Sequence, residues 1–206
     1  MLFRSVMTMY NIRDLTLGEY LEKIAEPSFP GPASGSACAT AVAMASALVE
    51  MSCKASIKKD PQNQMLIDAT EKMKKLKAHC LYLADDDMRA FGEVIKGTRK
   101  KKEFPDQYED LLQKATDPLV AILEGCELIL VEIQGIQKES YVKVLGDLAG
   151  AVYLSEGAAI AVKKGIEVNL TYLSDTAYIK RVRETVERLY DNCSKIKNNV
   201  INEMFD

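Results

Sequence analysis

The run Pro32-Ala33-Ser34-Gly35-Ser36-Ala37-Cys38-Ala39-Thr40-Ala41-Val42-Ala43-Met44-Ala45-Ser46-Ala47 decides the fold. It carries no charge, leaves a proline-rich stretch through a glycine, and then sets alanine at every second position. Alanine is the best helix former and nearly the smallest side chain, so a helix over residues 36–57 lets another backbone come unusually close. Such a helix belongs at the centre of a bundle or at a subunit interface. Alanine used merely as filler is the plainer alternative.

Helical signals continue in both directions. Thr16 followed by Glu19 has the spacing of a capping box and opens a helix carrying Leu17, Tyr20, Leu21 and Ile24. That helix ends at Pro27, and Pro27, Pro30 and Pro32 make the connection to the alanine run an extended loop. Downstream, Asp60-Pro61 opens a third helix reaching about Lys96, with Leu66, Met73, Leu76, Cys80, Leu83, Met88, Phe91 and Ile95 near helical spacing. Pro105 and Pro118 are expected to bracket a short helix over 107–115, and a long one follows over 119–137. A small-residue helix over 140–164, a loop over 165–174 and an amphipathic helix over 175–198 complete the reading. With few alternating β-branched runs and no internal repeat, the expectation is an all-α single bundle of about five long helices plus short ones. It occupies residues 1–206 as one domain, with 1–13 as an extra N-terminal segment. Two helices rich in small residues exceed what one small bundle needs internally, so a two-fold homodimer is expected.

Composition excludes several functions. Twenty-seven Lys and Arg against thirty Asp and Glu give a net charge of −3, unlike a dedicated nucleic-acid binder. Five scattered cysteines with no C-x-x-C spacing and a single histidine, His79, leave no metal site to expect and point to a reducing, cytoplasmic compartment. No signal peptide is read at the start, and the uncharged stretch 33–49 is too short and too weakly apolar for a membrane span. P-loop and dinucleotide fingerprints are missing, and a Ser-His-Asp triad would rest on His79 alone.

What remains is acids, lysines and a loop-to-helix junction. Gly35 and Ser36 stand where a helix N-terminus offers unpaired N–H groups to a ligand, although Ser36 also suits a simple cap. Asp85-Asp86-Asp87 spread over more than half a helix circumference, so at least one faces inward. Asp87 shares a face with Phe91, where partial desolvation raises its proton affinity toward acid–base work; a solvated charge run is the alternative. Asp147, between Leu145 and Leu148, is an acid in apolar surroundings that needs a partner. Asn169 in its loop reads equally as turn chemistry. Lys54, Lys58, Lys59 and the run Arg99-Lys100-Lys101-Lys102 suit helix ends or a polyanionic tail.

In this order, these features resemble the cyclodeaminase/cyclohydrolase family. Its P-G-G-G-S motif before an alanine-rich helix is similar to Pro32-Ala33-Ser34-Gly35-Ser36, with Ala33 and Ser34 in place of two glycines. Its D-x-x-A-F segment is matched by Asp87-Met88-Arg89-Ala90-Phe91, and its L-P-K segment by Lys100-Lys101-Lys102 without the leucine and proline. Gly146-Asp147 stands for S-D, and Val168-Asn169-Leu170 with Asp175 for I-N-L and its following acid. The resemblance spans about residues 16–205. It implies a homodimeric helical bundle acting on a tetrahydrofolate derivative, with no separate cofactor. Asp87 and Lys102 are implied as catalytic, the lysine or its neighbours meeting the glutamate tail. Gly35, Ser36, Phe91, Asp147 and Asn169 are implied to bind substrate. Because the chain stands without a formiminotransferase domain, the expected reaction is that of a methenyltetrahydrofolate cyclohydrolase. The alternatives are a formiminotetrahydrofolate cyclodeaminase and a catalytically silent folate-binding protein.

Overall fold

The computed structural model describes residues 10–27 and 30–205. Among them every regular element is helical: α1 (Leu17–Ala25), α2 (Ser34–Ile57), α3 (Gln64–Thr98), α4 (Pro105–Ile136), α5 (Leu145–Leu170) and α6 (Thr176–Phe205). Single 3-10 turns lie at Ile12–Asp14 and Val142–Val144. The all-α bundle expected from the sequence is therefore present, as five long helices and a short one. Part of the anticipated N-terminal segment, residues 1–9, lies outside the described residues, as do 28 and 29 of the proline loop.

Local chemistry starts the helices where the sequence indicates. Glu19 N–H donates to Thr16 Oγ1 at 3.3 Å while Thr16 N–H donates to Glu19 Oε2 at 2.8 Å, closing the capping box of α1. Asn63 Oδ1 accepts from Leu66 N–H at 3.2 Å, so α3 begins three residues after the Asp60-Pro61 signal. Helix α2 is apolar nearly all round and packs against α3, α4 and α5 at once. Its 3.6-residue period divides the alanine run: Ala39, Ala43 and Ala45 are buried against neighbours, while Ala37, Ala41 and Ala47 stay half-exposed. Val42, Leu66, Met73, Ile129, Leu148 and Ile166 fill the space the small residues leave, each with no exposed surface.

Two expectations are corrected. Residues 107–137 do not form two helices, because α4 runs unbroken through Pro118. Proline removes one N–H and leaves the Lys114 carbonyl without its helical donor. Burial of Ala115, Thr116, Pro118 and Leu119 on the core side outweighs that loss. Nor are residues 165–174 a loop, for α5 continues to Leu170. Ile166 and Leu170 extend its buried face, and Gly165 sits where an added Cβ would touch Leu119 at 3.4 Å.

All five cysteines are free thiols and all are buried. Burial pushes Cys53 up to about 11 and Cys80 and Cys193 up to about 12.

Replacing Ile129 by Ala is expected to cost about 2–5 kcal/mol of stability in urea unfolding. Its exposed neighbour Leu128, replaced likewise, is expected to change stability by no more than about 0.5 kcal/mol.

Candidate functional site

The first turn of α2 leaves N–H groups unpaired, as every helix start does. Ala33 stands at the N-cap and has no side-chain acceptor to offer. Ser36 provides half of a box instead: Ala33 N–H donates to its Oγ at 2.9 Å, and that hydroxyl donates on to the Ala33 carbonyl at 3.0 Å. Ser36 is thus not the N-cap residue. Its own N–H donates to the carboxylate of Asp87, which reaches across from α3 and does the work of a capping side chain.

The approach is close. A Cβ on Gly35 would stand 2.1 Å from Asp87 Oδ1 and 2.7 Å from Oδ2, so no residue but glycine fits there as α2 and α3 are set. The two motif glycines that are replaced do not matter in this way: Ala33 has φ −137° and ψ −158°, extended backbone open to any residue, and Ser34 is helical. Asp87 is 9% exposed. Burial raises its pKa from the ordinary 3.8 to about 6, against the Ser36 N–H, which lowers it, and with a further rise from Asp86.

Tyr20 of α1 borders the same turn and was not anticipated as a site residue. Thr40 Oγ1 donates to its hydroxyl at 3.2 Å, and burial, with Asp87 nearby, raises its pKa. Its signal was present as the polar-tipped member of an otherwise aliphatic set on α1. Phe91 follows Asp87 by one turn and is half-buried. The next residue, Gly92, lies beneath Pro30, whose Cβ is 3.1 Å from where a Gly92 Cβ would stand.

The three consecutive acids divide their roles. Asp85 has no exposed surface, accepts from Ile12 N–H at 2.5 Å and pairs with Arg13 at 3.4 Å. It fastens the chain before α1. Asp86 pairs with Arg89 at 3.6 Å and faces a cleft of about 620 Å³ between α3 and α4, floored by Leu83, Ala90 and Pro118. Asp87 does not line that cleft.

Other expected site residues lie further off. Asn169, in the last turn of α5, donates to Thr116 Oγ1 at 3.3 Å rather than to Gly35, Ser36 or Asp87. Lys102 is exposed in the connection after α3, and the helix between Asp87 and Gly97 already runs about 15 Å at ~1.5 Å per residue. Asp147 is at the opposite end of the bundle. Helices α2 and α5 run antiparallel: Ser34 and Ala37 share a hollow with Gly157 and Ala158, Gly150 lies by Leu48, and Tyr141 N–H donates to Ser56 Oγ. Asp147 is therefore level with the second half of α2, and from Gly35 to Leu48 is about 20 Å of helix. It is half-buried in the first turn of α5, and no described residue pairs with its carboxylate.

At that far end Glu50, 6% exposed, holds Lys54 and Lys77 by ion pairs of 2.5 Å each, and both lower its pKa. With Lys58 they line a hollow of about 420 Å³.

Comparison with known proteins adds to this geometry. The family model described as Formiminotransferase-cyclodeaminase matches residues 16–188. A solved structure of a formiminotetrahydrofolate cyclodeaminase from Thermotoga maritima superposes with a TM-score of 0.88 at 22% identity, covering 94% of this chain and 97% of that one. Comparison with curated proteins returned no match. The preference for a methenyltetrahydrofolate cyclohydrolase is corrected by these findings, since both names are those of cyclodeaminases. That preference rested on the chain standing alone. The Thermotoga maritima chain is of nearly the same extent, so standing alone does not speak against a cyclodeaminase.

Two outcomes are expected from the Asp87–Gly35 contact. Gly35→Ala overpacks it and lowers stability by about 1–3 kcal/mol in urea unfolding. Because the folded pKa of Asp87 is raised, its favourable share of stability is full below about pH 4 and drains as pH climbs through about 6. Asp87→Asn is expected to remove that decline, on the order of 2–3 kcal/mol between pH 4 and 7, read from urea midpoints across pH.

Proposed function

The chain belongs to the formiminotransferase-cyclodeaminase family, and from that premise we propose that it closes the formimino group of 5-formiminotetrahydrofolate onto N10, giving 5,10-methenyltetrahydrofolate and ammonia. The observation that supports this reading is a buried carboxyl, Asp87, held at a helix N-terminus with a pKa of about 6.

The reaction needs one proton moved a short way. N10 attacks the formimino carbon, a C–N bond forms, and N10 gives up its hydrogen. The amino nitrogen on the same carbon must then be protonated before its C–N bond breaks and ammonia leaves. A carboxyl that is mostly ionised near neutral pH, yet protonates readily, can take the first proton and deliver the second. Asp87 meets that requirement because burial favours its neutral form while the Ser36 N–H favours the charged one. Its negative charge also suits the amidinium character that develops along the reaction and persists in the product. Gly35 leaves the space in which the carboxylate sits, and the Ser36 backbone N–H donates to it. Phe91, one turn along α3, offers an apolar surface to the folate rings. Asn169 and Lys102 lie toward the same end of the bundle and serve the outer parts of the ligand.

Ammonia release from 5-formiminotetrahydrofolate, together with growth of the methenyl absorption band, tests the assignment directly. The Asp87→Asn variant is expected to fall at least about 100-fold in kcat with its helical circular dichroism intact. In the parent chain, kcat/KM is expected to drop about tenfold per pH unit below pH ~6, as the base becomes protonated. A parent chain that binds the folate without releasing ammonia would refute the assignment.

A further inference from the structure

Helix α1 buries a single side chain. Tyr20 is 5% exposed, while Leu17 and Leu21 on either side of it face outward. The chain just ahead of α1 is fastened too, since Ile12 N–H and Arg13 both meet Asp85. Both attachments land beside Asp87: Asp85 precedes it by two residues, and Tyr20 meets the turn of α2 that Asp87 caps.

The tyrosine hydroxyl belongs to that turn. Thr40 Oγ1 shares its one hydrogen between the Tyr20 oxygen at 3.2 Å and the Ser36 carbonyl at 2.9 Å. Ser36 is thereby held at both ends, its N–H by Asp87 and its carbonyl by Thr40. Tyr20 is near enough to Asp87 for the carboxylate to raise the pKa of its hydroxyl, and the Ser36 side chain acts on the same hydroxyl in the opposite sense. A ring with a polar tip, set so that the tip meets polar neighbours, does more than fill a gap.

Few other groups bear on the charge of Asp87. Among the described residues they are Asp86 on its own helix, Cys38 on α2 and Tyr20 on α1, with none from α4, α5 or α6. Asp85 is turned to Arg13. Cys38 and Tyr20 are both raised by burial and so stay uncharged near neutrality, and no cation faces the carboxylate. Its proton affinity therefore turns on two things, how far water is kept out and how well the Ser36 N–H is aimed. Tyr20 touches both.

We propose that Tyr20 is a positioning residue for Asp87: its ring closes α1 over the carboxyl against water, and its hydroxyl, through Thr40, aims the Ser36 N–H. The kinetic part of this inference rests on the cyclodeaminase reading; the part that concerns proton affinity does not.

Two substitutions pull these effects apart. Tyr20→Phe keeps the ring and removes the hydroxyl, leaving Asp87 covered but with a less well aimed donor, so its pKa rises. Tyr20→Ala removes the ring and admits water, so the pKa falls toward the ordinary value. In the parent chain the stability share of Asp87 is lost as pH climbs through about 6. That decline is expected to end about half a pH unit higher in Tyr20→Phe and about one pH unit lower in Tyr20→Ala, read from urea midpoints across pH. The acid limb of kcat/KM for ammonia release is expected to move with it. Leu17→Ala, on the exposed side of the same helix, is expected to leave both in place. In an Asp87→Asn background neither change at Tyr20 is expected to alter the pH profile. A merely structural tyrosine would lower stability at every pH without moving the profile. Profiles that stay at about pH 6 in both variants, or that move in the same direction, overturn the proposal. If the parent chain releases no ammonia, the reaction fails and the urea profiles still decide the role of Tyr20.

Discussion

One carboxylate, buried where a helix begins, organises this molecule. Helix α2 has no acceptor in the side chain of its N-cap residue, Ala33, and Asp87 supplies one from α3. The contact joins two helices at the centre of the bundle, demands glycine at position 35, and places an ionisable group where water scarcely reaches. Structure and chemistry draw on the same interaction from opposite sides. Burial raises the affinity of the carboxyl for a proton, and the helix N-terminus restrains that rise. A capping residue within α2 would have left Asp87 without a polar partner, and a surface acid would have kept an ordinary pKa.

Much of this was legible in the sequence, because the signals were local. The capping box at Thr16 and Glu19, the proline stop at Pro27 and the apolar periodicity of residues 66–95 each act over a few residues, and each acts as read. Asp87 was singled out by its position four residues before Phe91 and by a match to a family motif. The errors share a cause: propensity was overruled by packing. Pro118 ought to end a helix, but its surroundings are buried and the helix passes through. Gly165 and Asn169 suggested a turn, but Ile166 and Leu170 keep α5 in the core. Asp147 was expected to have a partner, in the protein or in a ligand, and its place far from Gly35 could be foreseen only by knowing that α2 and α5 run antiparallel. That is a tertiary fact without a local signature.

The division of the alanine run shows how one helix can serve two surfaces. Its inward alanines bring neighbouring backbones close inside the bundle. Its outward ones flank Met44 and Met51 on open ground. Length and hydropathy alone would let α2 and the stretch 142–170 cross a bilayer, which corrects the expectation that the uncharged run within α2 is too short and too weakly apolar. The bundle explains why α2 is apolar, since most of it is interior. Interior packing accounts for only part of the apolar character of α5, since much of that helix faces outward.

The five enclosed sulfhydryl groups carry a consequence of another kind. At neutral pH the thiols of Cys53, Cys80 and Cys193, titrating near 11 or 12, are almost wholly in their protonated, unreactive form, and burial pushes Cys38 and Cys126 up as well. At Cys53, Cys80, Cys126 and Cys193, which have almost no exposed surface, alkylation can proceed only when the helices part. The rate at which iodoacetamide is consumed there therefore becomes a clock for breathing of the interior, with Cys53 timing the lysine end. The molecule carries its own internal stopwatches, and no label need be added to read them.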